Sequence, residues 1–108
     1  MVFDECKWRE AIASGRIRWT DHVGRRMLQW QISTGDVLGV LTACDAIEQY
    51  PQDEPFASCL FVGTTNRGII HVVAAFDVEE GMVHVVTAYR PDEEHFTEGF
   101  RRRRHEAR

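Results

Sequence analysis

No apolar run in this chain comes near the roughly 20 residues that a membrane-spanning helix needs; stretches such as residues 69–76 stop far short of it. A membrane span is therefore not expected. Cysteine is scarce: Cys6, Cys44 and Cys59 are odd in number, far apart, and form no C-x-x-C pair, so neither a disulfide framework nor a thiol-redox motif is indicated. No His/Cys/acid spacing resembles a metal site, and no cofactor is expected. Nor does anything in residues 1–10 resemble a signal peptide, because Asp4, Glu5, Lys7, Arg9 and Glu10 interrupt any apolar stretch, and none is expected. Together these absences point to a reduced, cytoplasmic setting. Lysine is almost absent, since Lys7 is the single one among 13 basic residues. Arginine in its place favours forked contacts to carboxylate or phosphate.

What is present suffices for one domain. Hydrophobic residues make up 44% of the 108 and aromatics 10%, and a chain of this size buries roughly two-thirds of its unfolded surface. The net charge of -4 weighs mildly against a general nucleic-acid binder. Its distribution is uneven: residues 1–34 sum to +2, residues 35–100 to -10, and the last eight residues to +4. Residues 1–95 are expected to form a single α+β domain, followed by an arginine-rich tail over 96–108 that is frayed or disordered.

The pattern along the chain predicts helices first and strands after. Residues 4–13 suit a helix, with acidic side chains in the opening turn and Trp8, Ala11 and Ile12 at helical spacing. Residues 17–19 read as a short extended piece. Thr20 then caps a helix running to about Trp30, with Val23, Met27 and Trp30 as its apolar stripe. Ser33 and Asp36 form a capping-box signature for a third helix packed through Val37, Leu38, Val40 and Leu41. Beyond Ala46 the period becomes that of strands, at 46–50, 58–65, 69–78 and 82–90. Asn66-Arg67-Gly68 and Glu79-Glu80-Gly81 each read as a three-residue turn ending in a left-handed glycine. The expected architecture is thus two to three N-terminal helices on an antiparallel meander of about four strands.

If both turns hold three residues, His71 lies opposite Tyr89 on one side and Gly63 on the other, with Thr87 on the same face and a gap where Gly63 lacks a side chain. A slip of one residue would instead group His71 with His84 and Arg90. On the second helix His22 and Arg26, four apart, share a face, and Arg25 points elsewhere. An imidazole that moves a proton near neutral pH and a guanidinium that holds a phosphate are the parts a metal-free ribonuclease needs. Each also has a plainer reading. His71, flanked by Ile69, Ile70, Val72 and Val73, suits a hydrogen-bonded core position; His22 suits a helix start; Arg101, Arg102 and their neighbours suit a solvated tail, an intramolecular partner for the acidic stretch, or an RNA contact.

Thr20-Asp21-His22, Arg26-Met27, Ile32-Ser33, Asp36-Val37, Ile47 to Pro51, Val62-Gly63, His71-Val72-Val73 and Val86 to Asp92 resemble the bacterial domain-of-unknown-function 4258 family. The likeness covers about residues 16–92. That family is similar to the RelE and BrnT toxins, whose fold packs helices on an antiparallel sheet. The resemblance implies a toxin-type endoribonuclease acting on messenger RNA, on or off the ribosome. It carries over His22, Arg26, His71, Thr87 and Tyr89 as catalytic positions. By their charge alone, Arg25, Arg90, Arg101 and Arg102 are candidates for contacts to phosphate or RNA. The resemblance also implies a small antitoxin-like protein partner. The alternative is a catalytically silent module of the same fold that pairs with such a partner. At Trp30-Gln31 the chain departs from the family pattern, where an arginine-glycine pair is expected.

Overall fold

The computed structural model describes residues 2–91, together with the backbone of two short paired strands at Phe96–Thr97 and Arg102–Arg103. The expectations for the rest of the tail, and for the side chains of Arg101 and Arg102, lie outside the described residues.

Helix α1 (Glu5–Ala13) starts at Asp4, whose carboxylate accepts from the backbone N–H of Cys6 at 2.9 Å and of Lys7 at 3.2 Å. A carboxylate there satisfies two of the N–H groups that every helix leaves open at its start, and it opposes the positive end of the helix dipole. After β1 (Ile17–Trp19), the Thr20 hydroxyl accepts from Val23 N–H at 3.1 Å and opens α2 (Asp21–Trp30). Ser33 and Asp36 complete the reciprocal box that begins α3 (Thr34–Ala43), at 3.0 and 3.1 Å. Four strands follow: β2 (Ala46–Tyr50), β3 (Ser58–Thr65), β4 (Gly68–Asp77) and β5 (Met82–Tyr89).

The fold is α+β, and the main sheet among the described residues has five strands, in the order β1-β5-β4-β3-β2, rather than about four. Nor is the sheet wholly antiparallel. β1 joins the edge parallel to β5, pairing Ile17 with Val83, and Val83 N–H donates to the Arg16 carbonyl at 2.9 Å. A three-residue strand carries no alternation and no turn signal, so nothing local announces a partner more than sixty residues away.

Both turns also differ from expectation by one residue. The first is a two-residue loop in which Thr65 pairs with Gly68, leaving Gly68 at φ 108° as the first residue of β4. The second is one residue longer than expected, since Asp77 rather than Val78 pairs with Met82; Gly81 sits in the left-handed region at φ 64°. A bulge opposite Val73 and Ala74 then absorbs the slip, so that Val73 faces Thr87 and His71 faces Tyr89.

The helices all pack on one face of the sheet. Trp8, fully buried, stacks on Phe61 at 5.1 Å and meets Phe76 edge-on at 5.7 Å, while its indole N–H donates to the Leu41 carbonyl at 3.0 Å. Around it gather Val23, Met27, Val37, Val40 and Leu41 from the helices and Ile70, Val72, Ala74, Val83 and Val85 from the strands. A buried tryptophan with its one donor satisfied supplies large apolar area without the cost of an unpaired N–H. No helix among the described residues is long and apolar enough to cross a membrane.

Candidate functional site

Alternation along β4 decides where His71 points. Ile70, Val72, Ala74 and Phe76 belong to the helix-side core, so His71, Val73 and Ala75 project from the opposite face. The cross-strand partners Val62, Tyr89 and, through Val73, Thr87 share that face. The His71 and Tyr89 rings meet at a centroid distance of 5.5 Å with planes 60° apart. His71 has no exposed surface at all, and Leu60 beside it has none either.

Gly63 takes no part in this pairing. It lies opposite Ile70, not His71, and turns toward α3 instead. A Cβ placed on it would stand 2.5 Å from Val40 Cγ2, inside any real carbon contact. The missing side chain therefore makes room for the helix to seat on β3. The expected gap beside the histidine is filled by Val62.

The second cluster stands on the other side of the sheet. Val23 and Met27 turn α2 inward, which leaves His22 exposed and Arg26 half-buried on one flank, and Arg25 exposed. Arg26 Nε and, one turn on, Trp30 Nε1 are enclosed with no hydrogen-bond partner. His71, Thr87 and Tyr89 are thus separated from His22 and Arg26 by the sheet itself.

Arg90 holds backbone. Its guanidinium donates to the carbonyls of Trp30 at 2.9 Å, Gln31 at 3.1 Å and Arg67 at 3.2 Å. These include carbonyls that the end of α2 leaves open, and the cation meets the negative end of the helix dipole. The chain turns there through Gln31 at φ 56°, a left-handed conformation that favours glycine. That accounts for the glycine expected in the family pattern at this position. Here the Gln31 carboxamide accepts from the Arg67 guanidinium.

Two features escaped the sequence reading. His84 stacks on Phe56, with ring centroids 5.1 Å apart, beside a groove on the helix-free face also lined by Pro55, Val73, Ala75 and Val86. Desolvation in this setting lowers the His84 pKa from its usual 6.5, the Arg18 charge adds to the effect, and Asp77 opposes it. The loop that brings Phe56 there has no periodic signal. The other feature is Leu28, which is 81% exposed on α2 at the mouth of a groove of about 550 Å³ reaching Ile32, Ser33, Asp36 and Asn66. Its position off the Val23 and Met27 stripe was visible in the helical spacing. No cluster of metal-ligating side chains is present among the described residues.

A family model described as Domain of unknown function (DUF4258) matches residues 19–90, from the end of β1 to Arg90. No curated protein and no solved structure matches the chain.

Proposed function

We propose, from the premise that this chain belongs to the family described as Domain of unknown function (DUF4258), that it is a catalytically silent binding module that pairs with a small antitoxin-like protein. The observation that carries this reading is the complete burial of His71. An imidazole with no exposed surface cannot reach a ribose hydroxyl or a leaving oxygen. The sheet also divides it from His22 and Arg26, and Arg90 is committed to three carbonyls. The exposed Leu28 beside its groove supplies what a pairing surface needs, an apolar anchor next to a concave site with polar rim groups.

A second reading, the metal-independent endoribonuclease of toxin-antitoxin type, draws support from the flank of α2. Arg26 Nε and Trp30 Nε1 are two donors without acceptors, one turn apart and in line with His22. Both atoms are enclosed, so a phosphate oxygen would meet them only after this flank opens.

One experiment separates the two. Purified protein is incubated with RNA in excess chelator, as wild type, His71→Ala and Arg26→Ala, and titrated separately with any small antitoxin-like protein encoded in a neighbouring reading frame. The module reading expects intact RNA at every ratio, and pairing that Leu28→Arg weakens by about tenfold or more. RNA cleavage by the wild type that both substitutions abolish would establish the nuclease instead; failure to bind the small protein would remove the pairing.

A further inference from the structure

Neither functional reading draws on the groove at the Phe56 end of the helix-free face. Ser58 pairs with Ala75 and Ala75 with His84, so the three share that face, while Cys59, Ala74 and Val85 turn into the helix-side core. The loop over residues 51–57 carries Phe56 onto His84, with ring centroids 5.1 Å apart. Between the loop and the strands lies a space of about 300 Å³, at the lower end of the range for small-molecule sites.

The lining has an apolar part and an acidic part. Five of its nine described residues, Pro55, Phe56, Val73, Ala75 and Val86, are apolar, and Val86 is 43% exposed there. Asp53 and Glu54 stand on the loop side. Ser58, itself buried, donates its hydroxyl to Asp53 Oδ2 at 2.6 Å, which fixes that carboxylate beside the groove. His84 adds no compensating charge at pH 7, because desolvation and the Arg18 charge hold its pKa below 6.5 against the weaker opposing pull of Asp77. Arg18 pairs beside His84 from β1 and is not among the lining residues, and those described include no lysine or arginine.

We propose that this groove binds a small organic monocation, an amine or guanidine on a hydrocarbon body, with the body against Phe56, Val73 and Val86 and the charged head at Asp53 and Glu54. The apolar wall by itself would take any hydrophobic ligand. The two carboxylates choose the sign, and the -10 carried by residues 35–100 favours the same choice. The volume holds one ring with a short arm and is too small for a partner's helix. Because the groove lies on the face opposite the helices and Leu28, the inference holds whether the domain is a pairing module or a nuclease.

The test titrates the full chain, labelled with nitrogen-15, with benzylamine, benzyl alcohol and benzoate, which share a ring and differ in the charge of the head. Benzylamine is expected to shift the amide signals of Phe56, Val73, His84 and Val86 and to saturate below about 10 mM. Benzyl alcohol should act on the same signals about tenfold more weakly, and benzoate should leave them in place. Glu54→Gln, at an exposed position, should remove part of the amine's advantage, and Glu54→Gln with Asp53→Asn most of it, with the affinity for the alcohol unchanged. Val86→Trp, which fills the groove from an exposed position, should abolish binding of both while the remaining signals keep their dispersion. Equal affinities for amine and alcohol, an amine affinity that neither carboxamide variant moves, or no saturable shift at those four residues overturns the proposal. So does tighter binding of a blocked lysine tripeptide than of benzylamine, which would assign the groove to a partner's side chain.

Discussion

At the residue scale, Gly63 shows how a single missing Cβ can be read in two directions. An interior glycine in a strand signals close approach by something, and the spacing suggested a site beside His71. The object that approaches is Val40 of α3. Replacing Gly63 by alanine forces the helix off β3 or Val40 out of its rotamer, at a cost of about 1–3 kcal/mol. In urea denaturation, Gly63→Ala is expected to lose that much, and Val40→Ala in the same chain to recover part of it, giving a coupling between the two that separate substitutions do not predict. A Gly63→Ala variant as stable as the wild type would contradict the contact. His71 was legible in its flanking apolar residues as a core position, but which surface it faced depended on a register that only the coordinates supply.

At the scale of elements, starts were more legible than partners. Asp4, Thr20 and Ser33 each cap the helix that follows, because a short side-chain acceptor next to the first open N–H groups acts through local geometry alone. Strand pairing was less legible. Both turn lengths slipped by one residue, and the His71–Tyr89 pairing emerged only because a bulge in β5 offset the second slip. Arg90, read as a candidate for phosphate, is the tie between the end of β5 and the end of α2. Arg90→Ala is expected to destabilise the domain by about 1–3 kcal/mol, the range for hydrogen bonds from a charged donor. Arg90→Lys should restore less than half of that, since a compact ammonium cannot reach three carbonyls as a planar fork does. Thermal unfolding gives the size of the effect, and hydrogen exchange should place the lost protection at residues 28–32. If lysine restores full stability, the fork geometry is not what matters.

At the scale of the whole molecule, the cysteines influence stability through burial rather than chemistry. None of the three forms a disulfide. Burial pushes Cys59 up from 9.0 to about 11, and burial with the nearby Glu5 charge raises Cys44 as well. A raised folded pKa means that the unfolded chain ionises first as pH climbs. The stability contribution is therefore complete below pH 9 and is lost as the pH rises toward 11. Two units correspond to about 2–3 kcal/mol. Unfolding free energies between pH 8 and 10.5 should fall more steeply for wild type than for Cys59→Ala; parallel slopes would show that Cys59 ionises as freely in the fold as in solution. The same burial predicts that Cys6, exposed, takes up a thiol reagent at once while Cys59 waits for unfolding.

The amino-acid sequence by itself determined the order of helices and strands, the residues that cap each helix, and the stripe of α2 that turns inward. Those follow from interactions among residues a few positions apart, and the chain carries them wherever it goes. Membership in the family was also legible, because its motifs are local strings. Only the tertiary structure decided that β1 would add a parallel edge, that Val40 would occupy the space above Gly63, and that His71 and His22 would stand on opposite sides of the sheet. Each of these depends on contacts between distant segments, and an alternation of period two changes faces with every single-residue shift in register. A bulge or a turn one residue longer therefore decides what meets what, and neither leaves a mark in local composition.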